Sequence, residues 1–290
     1  MRALNAISVD VEDYFHTEAM THAAPRSQWD LMPSRVVRNT GLVLDDFAEK
    51  GVRATFFFLG WVAERFPFLV RRAVAEGHEI GCHSYWHRAV FTLSESEFRE
   101  DTCRAKDIIE HHAQKPLQGY RAPSFSITPA VPLAFDVLED LGFTYDSSVN
   151  PIRHGFYGNA SAARRPGPAN SGSLVELPIA TWNVGGNNWP VGGGAYLRIL
   201  PYILMRSGLN AINQAEHMPA VVYFHPWEID ADQPRLKASL TSRMRQYIGL
   251  SGMQGRLRRL MNDYEFAPIN EAFSEYLPAA VPPARSRVAR

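Results

Sequence analysis

Apolar residues along this chain switch between two periods, and the switch repeats. Residues 5 to 11 carry the two-residue alternation and β-branched content of a strand. From 35 to 50, Val36, Val37, Val43, Leu44 and Phe47 fall near helical spacing, and Gly51 stops the run. Ala54 to Leu59 is a continuous apolar block closed by Gly60, the mark of a strand buried on both faces. A second helix is predicted through Val62, Phe66, Leu69, Val70 and Val74 to Gly77, followed by a strand at 79 to 83. Ser94 with Glu97 makes a capping box for a helix reaching about residue 113. Residues 119 to 123 read as extended, Pro129 opens a helix that ends at Gly142, and 143 to 146 is another short strand.

Repeated strand and helix units of this length predict parallel strands, either closed into a barrel or wound as an open sheet. Both arrangements carry their chemistry at strand C-terminal ends. Glu12, Asp13, His83, Arg121, Asp146 and His225 each fall at or just past the end of a predicted strand. The pattern fails from 151 to about 173, where a long surface loop is expected. The glycine-rich run at 185 to 194 lacks the Lys-Ser/Thr of a phosphate loop and the spacing of a dinucleotide loop. It reads as a turn carrying an aromatic side chain, Trp189. Near the C-terminus Arg243, Arg245, Arg256, Arg258 and Arg259 give a basic helical stretch, which is either a solvated face or a contact for an anionic lipid or polymer.

Composition narrows the classes. With 290 residues, 46% apolar and 21% charged, the chain can bury a large core in one α/β domain or two small ones. Thirty basic residues balance thirty acidic ones, so no global field argues for nucleic acid or an anionic membrane. The two cysteines, Cys82 and Cys103, are too few for a disulfide framework. Strand alternation turns Cys82 away from the side to which His83 points, making it a core residue rather than a ligand. The first ten residues do not read as a signal peptide, and no apolar run approaches the roughly 20 residues of a spanning helix. The expected location is cytoplasmic, with a peripheral position at the inner membrane as a variant of it.

His83 and His87 are the first candidates for chemistry. Four residues apart on a helix or in a tight turn, both can direct a ring nitrogen at one metal ion. Asp13 and His225 are the first places to look for a third ligand. Asp10, Glu12 and Asp13 crowd carboxylates at a strand end, which costs repulsion unless a metal or an arginine neutralises them. Alternation puts Asp10 and Glu12 on one face. Arg121, stiffened by Pro123, can fork onto Glu12 or Asp146 and keep that acid ionised and oriented. His225 ends a buried strand before Pro226, and it faces the histidine pair if that strand joins the same sheet.

Four segments in this order, Ser8-Val9-Asp10-Val11-Glu12-Asp13, His83-Ser84-Tyr85-Trp86-His87, Arg121-Ala122-Pro123-Ser124-Phe125 and Val222-Tyr223-Phe224-His225, resemble the motifs of the polysaccharide deacetylase family with the NodB homology domain, carbohydrate esterase family 4. Asp10 to Phe15, Tyr145 to Ser148, Pro190 to Gly194 and His225-Pro226-Trp227-Glu228 are similar, more narrowly, to deacetylases of exopolysaccharide loci in bacteria with PEP-CTERM/exosortase systems. The resemblance implies an α/β fold, a distorted (β/α) barrel, in a single catalytic domain over 1–290. Its core covers about 5–230, and a helical extension follows over about 231–290.

It also implies a divalent metal held by Asp13, His83 and His87, zinc first, with cobalt, nickel or iron also compatible. Glu12 stands where the family has its catalytic base, with Asp10 as the rival. By the same carry-over Arg121 orients the base and His225 is the general acid. The acid that should partner His225 has no clear counterpart near Trp182, so Asp146 is the candidate. Pro123, Phe125, Trp189, Gly193, Tyr196 and Trp227 are the implied substrate contacts. The implied reaction removes N-acetyl groups from hexosamines of a bacterial exopolysaccharide or its precursor, an N-acetylated oligo- or polysaccharide. Nothing in the sequence sets an oligomeric state.

Three rivals stand beside that reading. A His₂Asp set also serves non-haem iron oxygenases, but on a different, antiparallel fold. Related proteins of the same NodB-type fold hydrolyse small amides such as allantoin. A non-catalytic glycan binder would use Trp86, Trp182, Trp189 and Trp227 as stacking platforms.

Overall fold

The β-branched and aromatic runs enter one sheet, and the chain between them returns each strand in parallel. In chain order the strands are β1 (Leu4–Val11), β2 (Thr55–Phe58), β3 (Glu79–Cys82), β4 (Gly119–Tyr120), β5 (Tyr145–Asp146), β6 (Gly167–Pro168), β7 (Val175–Glu176), β8 (Thr181–Val184), β9 (Asn187–Pro190), β10 (Val221–Phe224) and β11 (Glu265–Ala267). The computed structural model describes residues 3–155 and 157–278. Within them the sheet order is β10-β1-β2-β3-β4-β5-β7-β6. All neighbours are parallel except β6, which lies antiparallel on β7. β11 pairs in parallel with the first residues of β1, and β8 and β9 form a separate hairpin.

The ladder is incomplete between β7 and β10, and irregular backbone spans the gap. The Ala180 amide donates to the Val221 carbonyl at 3.2 Å, Tyr223 to Gly192 at 2.7 Å and Gly194 to Tyr223 at 3.0 Å. Gly193 makes this approach feasible. Its φ is +131°, and a Cβ there would lie 1.8 Å from the Tyr223 carbonyl oxygen. The curled sheet is therefore a distorted (β/α) barrel.

β2 shows why the barrel holds. Phe56, Phe57 and Phe58 are all fully buried. Phe56 and Phe58 belong to the large cluster under the outer helices, whereas Phe57 belongs to the smaller cluster within the barrel. Each such side chain contributes about 1.5–3 kcal/mol of burial.

The outer layer follows the expected periods with local exceptions. Helix Val36–Lys50 ends at Gly51 with φ +62°, and helix Glu95–Ala113 carries the Ser94–Glu97 capping box. The stretch expected as one helix to Gly77 breaks at Phe66-Pro67 into Gly60–Arg65 and Pro67–Ala75, because proline disfavours helical geometry in the residue before it. Pro132 has the same effect on the next stretch, whose helix begins at Ala134 instead of Pro129. Beyond 230 the helices Leu240–Tyr247 and Leu250–Asp263 were expected; β11 was not. The end of the expected extension, 279–290, lies outside the described residues.

Candidate metal centre and catalytic cleft

Parallel strands bring their C-terminal ends to one rim, and alternation along β1 selects what faces inward. Ser8 and Asp10 point to Arg121, which is fully buried. The Arg121 guanidinium donates to Asp10 Oδ1 at 2.8 Å and to Ser8 Oγ at 2.7 Å. It also donates to the Ser147 carbonyl and hydroxyl at 3.0 and 2.9 Å, and it lies 4.3 Å above the Phe57 ring. With its charge paired and most of its donors used, Arg121 fixes Asp10 rather than Glu12 or Asp146.

Asp146, expected as the partner of His225, works elsewhere. It accepts from the Ser148 hydroxyl at 2.6 Å and the Ser148 amide at 3.1 Å, and Ser148 in turn accepts from the Ala122 amide at 2.7 Å. Its register partner on β7 is Glu176, whose carboxyl bonds to it. Burial, then the Asp146 charge, pushes the Glu176 pKa well up. Glu176 therefore supplies the proton that two bonded carboxyl groups must share. The pair holds the Ser147–Ser148 turn that brackets Arg121.

The histidine pair sits on a strained turn after β3. Ser84 and His87 have φ of +62° and +50°. Asp101, on the helix Glu95–Ala113, accepts from the Tyr85 and Trp86 amides at 2.7 and 3.2 Å and anchors the turn. His83 Nδ1 lies 2.8 Å from the Arg121 carbonyl; donation there leaves Nε2 as a lone pair toward the rim. Burial lowers the His83 pKa to about 4, which keeps the ring neutral.

Glu12, not Asp13, meets this pair. Glu12 Oε2 is 2.6 Å from His87 Nε2, and ligand atoms of Glu12, His83 and His87 all lie within 4.8 Å of one another. Glu12 Oε1 accepts from the Trp227 indole at 3.1 Å. Burial works against its ionisation, but His87, and after it His225 and His83, outweigh burial and hold the pKa below the usual carboxylate range. Asp13 faces the opposite side, as alternation requires. Its carboxylate accepts from the Ser34 hydroxyl at 2.7 Å and the Arg35, Val36 and Tyr14 amides at 2.8, 3.1 and 3.0 Å. It thus caps the N-terminus of helix Val36–Lys50 and has no place among the three grouped ligands.

The acid partner of His225 is Glu228, three residues on in the turn Pro226–Ile229. Glu228 Oε2 lies 3.0 Å from His225 Nδ1, and Oε1 accepts from Arg198 Nε at 2.6 Å. Burial would lower the His225 pKa, but the hydrogen bond and charge of Glu228, then Glu12 and Asp10, push it up to about 9. His225 Nε2 faces the cluster, 3.7 Å from Glu12 Oε1 and 3.9 Å from Asp10 Oδ2.

These groups open into a cleft of about 320 Å³, walled by Phe125, Tyr157, Tyr223 and Trp227 and large enough for a sugar ring. Of the expected substrate contacts, Phe125 and Trp227 line it. Pro123 lies in the turn Pro123–Phe125 behind the wall. Gly193 is used in barrel closure, one residue from the lining Gly194. Tyr196 bonds to Tyr157, one step back from the cleft. Trp189 is 58% exposed on the β8–β9 hairpin and does not line it. A larger space of about 920 Å³ opens between Leu4 and Tyr264 at the other end of the barrel and contains none of these groups.

The donor set fits a divalent metal. Glu12 Oε2 is a buried carboxylate oxygen that meets only the His87 ring nitrogen, His83 is neutral and oriented, and two imidazoles with one carboxylate suit zinc and its neighbours.

Two family profiles match successive parts of the chain. A polysaccharide deacetylase family profile matches residues 27–145, and a domain of unknown function, DUF3473, matches 147–274. A peptidoglycan-N-acetylglucosamine deacetylase of Bacillus cereus is 39% identical over 90 residues, 31% of this chain and 30% of that protein. A chitooligosaccharide deacetylase of Rhizobium leguminosarum bv. trifolii is 50% identical over 48 residues, 17% of this chain and 22% of that protein. The matches thus span less than a third of either relative. A Mycobacterium smegmatis protein assigned to the polysaccharide deacetylases superposes with a TM-score of 0.61 at 20% identity, covering 98% of this chain and 95% of that one. A peptidoglycan N-acetylglucosamine deacetylase, Bc1960, gives 0.51 at 16% identity over 94% of this chain and 89% of that one. At these identities the likeness is one of fold.

Proposed function

We propose, for a chain whose residues 27–145 match the polysaccharide deacetylase profile, that it hydrolyses the N-acetyl amide bonds of hexosamine residues. The observation that carries the reading is the convergence of Glu12, His83 and His87 opposite Asp10–Arg121 and His225–Glu228 across one cleft. Glu12, His83 and His87 would hold a divalent ion, zinc first. When bound, that ion polarises a carbonyl and lowers the pKa of water.

The remaining steps belong to this chain. Asp10, pinned by Arg121, takes the proton of the attacking water. His225, protonated and oriented by Glu228, gives a proton to the departing amine. Phe125 and Trp227 pack against the sugar face, and the carboxyl pair of Asp146 and Glu176 keeps the turn under Arg121 in place. Base and third ligand are thereby assigned to Asp10 and Glu12.

The whole chain acts as one catalytic unit in this reading, since β11 of the C-terminal region pairs with β1, the strand that carries Asp10. The substrate is an exopolysaccharide or its cytoplasmic precursor, and the match of 147–274 to DUF3473 beside the deacetylase profile is in keeping with the exosortase-linked subfamily. No helix among the described residues is long and apolar enough to cross a membrane.

The test is acetate release from N-acetylglucosamine oligomers by wild type and Asp10→Asn. The variant should keep its metal content and lose at least about 10²-fold in rate. Undiminished turnover by Asp10→Asn would overturn the assignment of the base. Turnover of cyclic small amides in place of the oligomers would overturn the substrate class.

A further inference from the structure

Charge is balanced over the whole chain but not over its surface. Residues 177–215 and 233–262 contain no aspartate or glutamate, yet they hold Arg198, Arg206, Arg235, Lys237, Arg243, Arg245, Arg256, Arg258 and Arg259. The two segments meet in space. Arg198 donates to the carbonyls of Arg245, Gln246 and Ile248, and Gly249 packs against the Arg198 backbone.

The same junction exposes apolar side chains that a solvated face would not need. Along the helix Leu240–Tyr247 and its cap, Leu240, Met244 and Ile248 repeat at four-residue spacing, with Leu240 72% and Met244 50% exposed. Ile199, next to Arg198 in the chain, and Ile203 and Leu204 on the helix Tyr202–Asn210 are exposed as well, Ile203 at 63%. Lys237, Arg243 and Arg245 are exposed on and beside the helix Leu240–Tyr247 and make no ion pair among the described residues. Of the acids flanking these segments, Asp46 and Glu49 pair with Arg258 and Asp263 accepts from the Tyr202 hydroxyl, while Glu18, on the turn packed against helix Leu240–Tyr247, is exposed and single among the cations there.

We infer that this stripe docks the protein on the surface of an anionic phospholipid bilayer. An apolar stripe bordered by unpaired arginine and lysine is the pattern that inserts side chains at the headgroup boundary while cations meet lipid phosphate. A second copy of this chain is disfavoured by the same charges, because a two-fold contact would set the arginines against each other. The stripe adjoins the catalytic cleft: Ser242, Arg245 and Gln246 of the helix Leu240–Tyr247, and Ala195 and Arg198 of the short helix Ala195–Ile199, line it. Docking therefore brings the cleft mouth to the headgroups. If the proposed deacetylation holds, its substrate reaches the cleft carried on a lipid.

The test is co-sedimentation with phosphatidylcholine vesicles, with and without phosphatidylglycerol, which needs no substrate and so stands or falls apart from the deacetylase reading. Wild type should bind the anionic vesicles at least about tenfold better than the neutral ones, with binding lost as salt rises. Leu240→Gln/Met244→Gln and, separately, Lys237→Gln/Arg243→Gln should each lower binding to anionic vesicles at least about tenfold with melting temperatures unchanged. Equal binding of wild type to both vesicle types, or unchanged binding by both folded variants, would overturn the inference. So would light scattering that shows a wild-type dimer which the Leu240→Gln/Met244→Gln variant dissolves without loss of vesicle binding.

Discussion

Replacing Glu228 with glutamine removes the charge that holds His225 as an acid while keeping the size of the side chain and an oxygen for Arg198. The His225 pKa stands at about 9 against 6.5 for an ordinary histidine, although burial pulls it down. That rise is worth roughly 3 kcal/mol in favour of the protonated ring, shared among Glu228, Glu12 and Asp10. Glu228 leads the causes that raise it, through both a 3.0 Å bond and its charge. Its loss should lower the value by about one unit or more.

The sign follows from the role. A general acid acts in its protonated form, so activity is full below the His225 pKa and falls as pH rises through it. In wild type the alkaline limb of kcat/KM for acetate release should fall near pH 9. In Glu228→Gln it should fall near about pH 8 or below, so that at pH 8 the acidic fraction drops from about nine-tenths to half or less. The same raised pKa contributes folding stability that is complete below the unfolded value and lost as pH rises through the folded one. The wild-type melting temperature should therefore decline between about pH 7 and 9.5, and less so in the variant. A folded Glu228→Gln protein with an unmoved alkaline limb would refute His225 as the acid that Glu228 tunes.

Two further substitutions separate structural carboxylates from functional ones. Glu176→Gln can still donate to Asp146 and should remain active. Because the Glu176 pKa is raised, wild type loses stability as pH climbs above the ordinary glutamate range, so the glutamine variant should match or exceed wild type in urea denaturation at pH 8. Glu176→Ala, which leaves the Asp146 charge buried beside a hole, should lose about 3–5 kcal/mol. Asp13→Asn should destabilise the fold by about 1–3 kcal/mol through the weakened cap on helix Val36–Lys50 while keeping one metal ion per chain. Glu12→Gln should stay folded and lose most of its metal affinity, as measured by titration of the metal-free protein.

What the sequence makes legible is whatever a short window specifies. Ser94 and Glu97 satisfy each other across one helical turn, and the capping box appears where expected. Strand ends place His83, Arg121 and His225 on one rim because parallel strands share a direction. The carboxylates of the first motif were misplaced for a physical reason: the resemblance to an adjacent aspartate pair favours Asp13 as ligand, whereas the two-residue alternation of β1 puts Glu12 with Asp10. Glu228 was within reach, three residues from His225 in the same quoted segment. The family resemblance instead directs attention to the region near Trp182, where this chain has no acid. No local signal marks Asp101, which acts on a turn about fifteen residues earlier through tertiary packing, or Glu176, whose meaning depends on its register with Asp146. β11 is too short for its period to show and exists because β1 offers it an edge.

The central claim is metal-assisted removal of acetyl groups at Glu12, His83 and His87, and acetate release from N-acetylglucosamine oligomers tests it most directly. Wild-type protein should release acetate, stop when treated with a chelator and resume when zinc is added back, while Glu12→Gln should stay inactive at any zinc concentration that restores wild type. Acetate release that persists after complete metal removal, or in Glu12→Gln at the wild-type rate, would contradict the account.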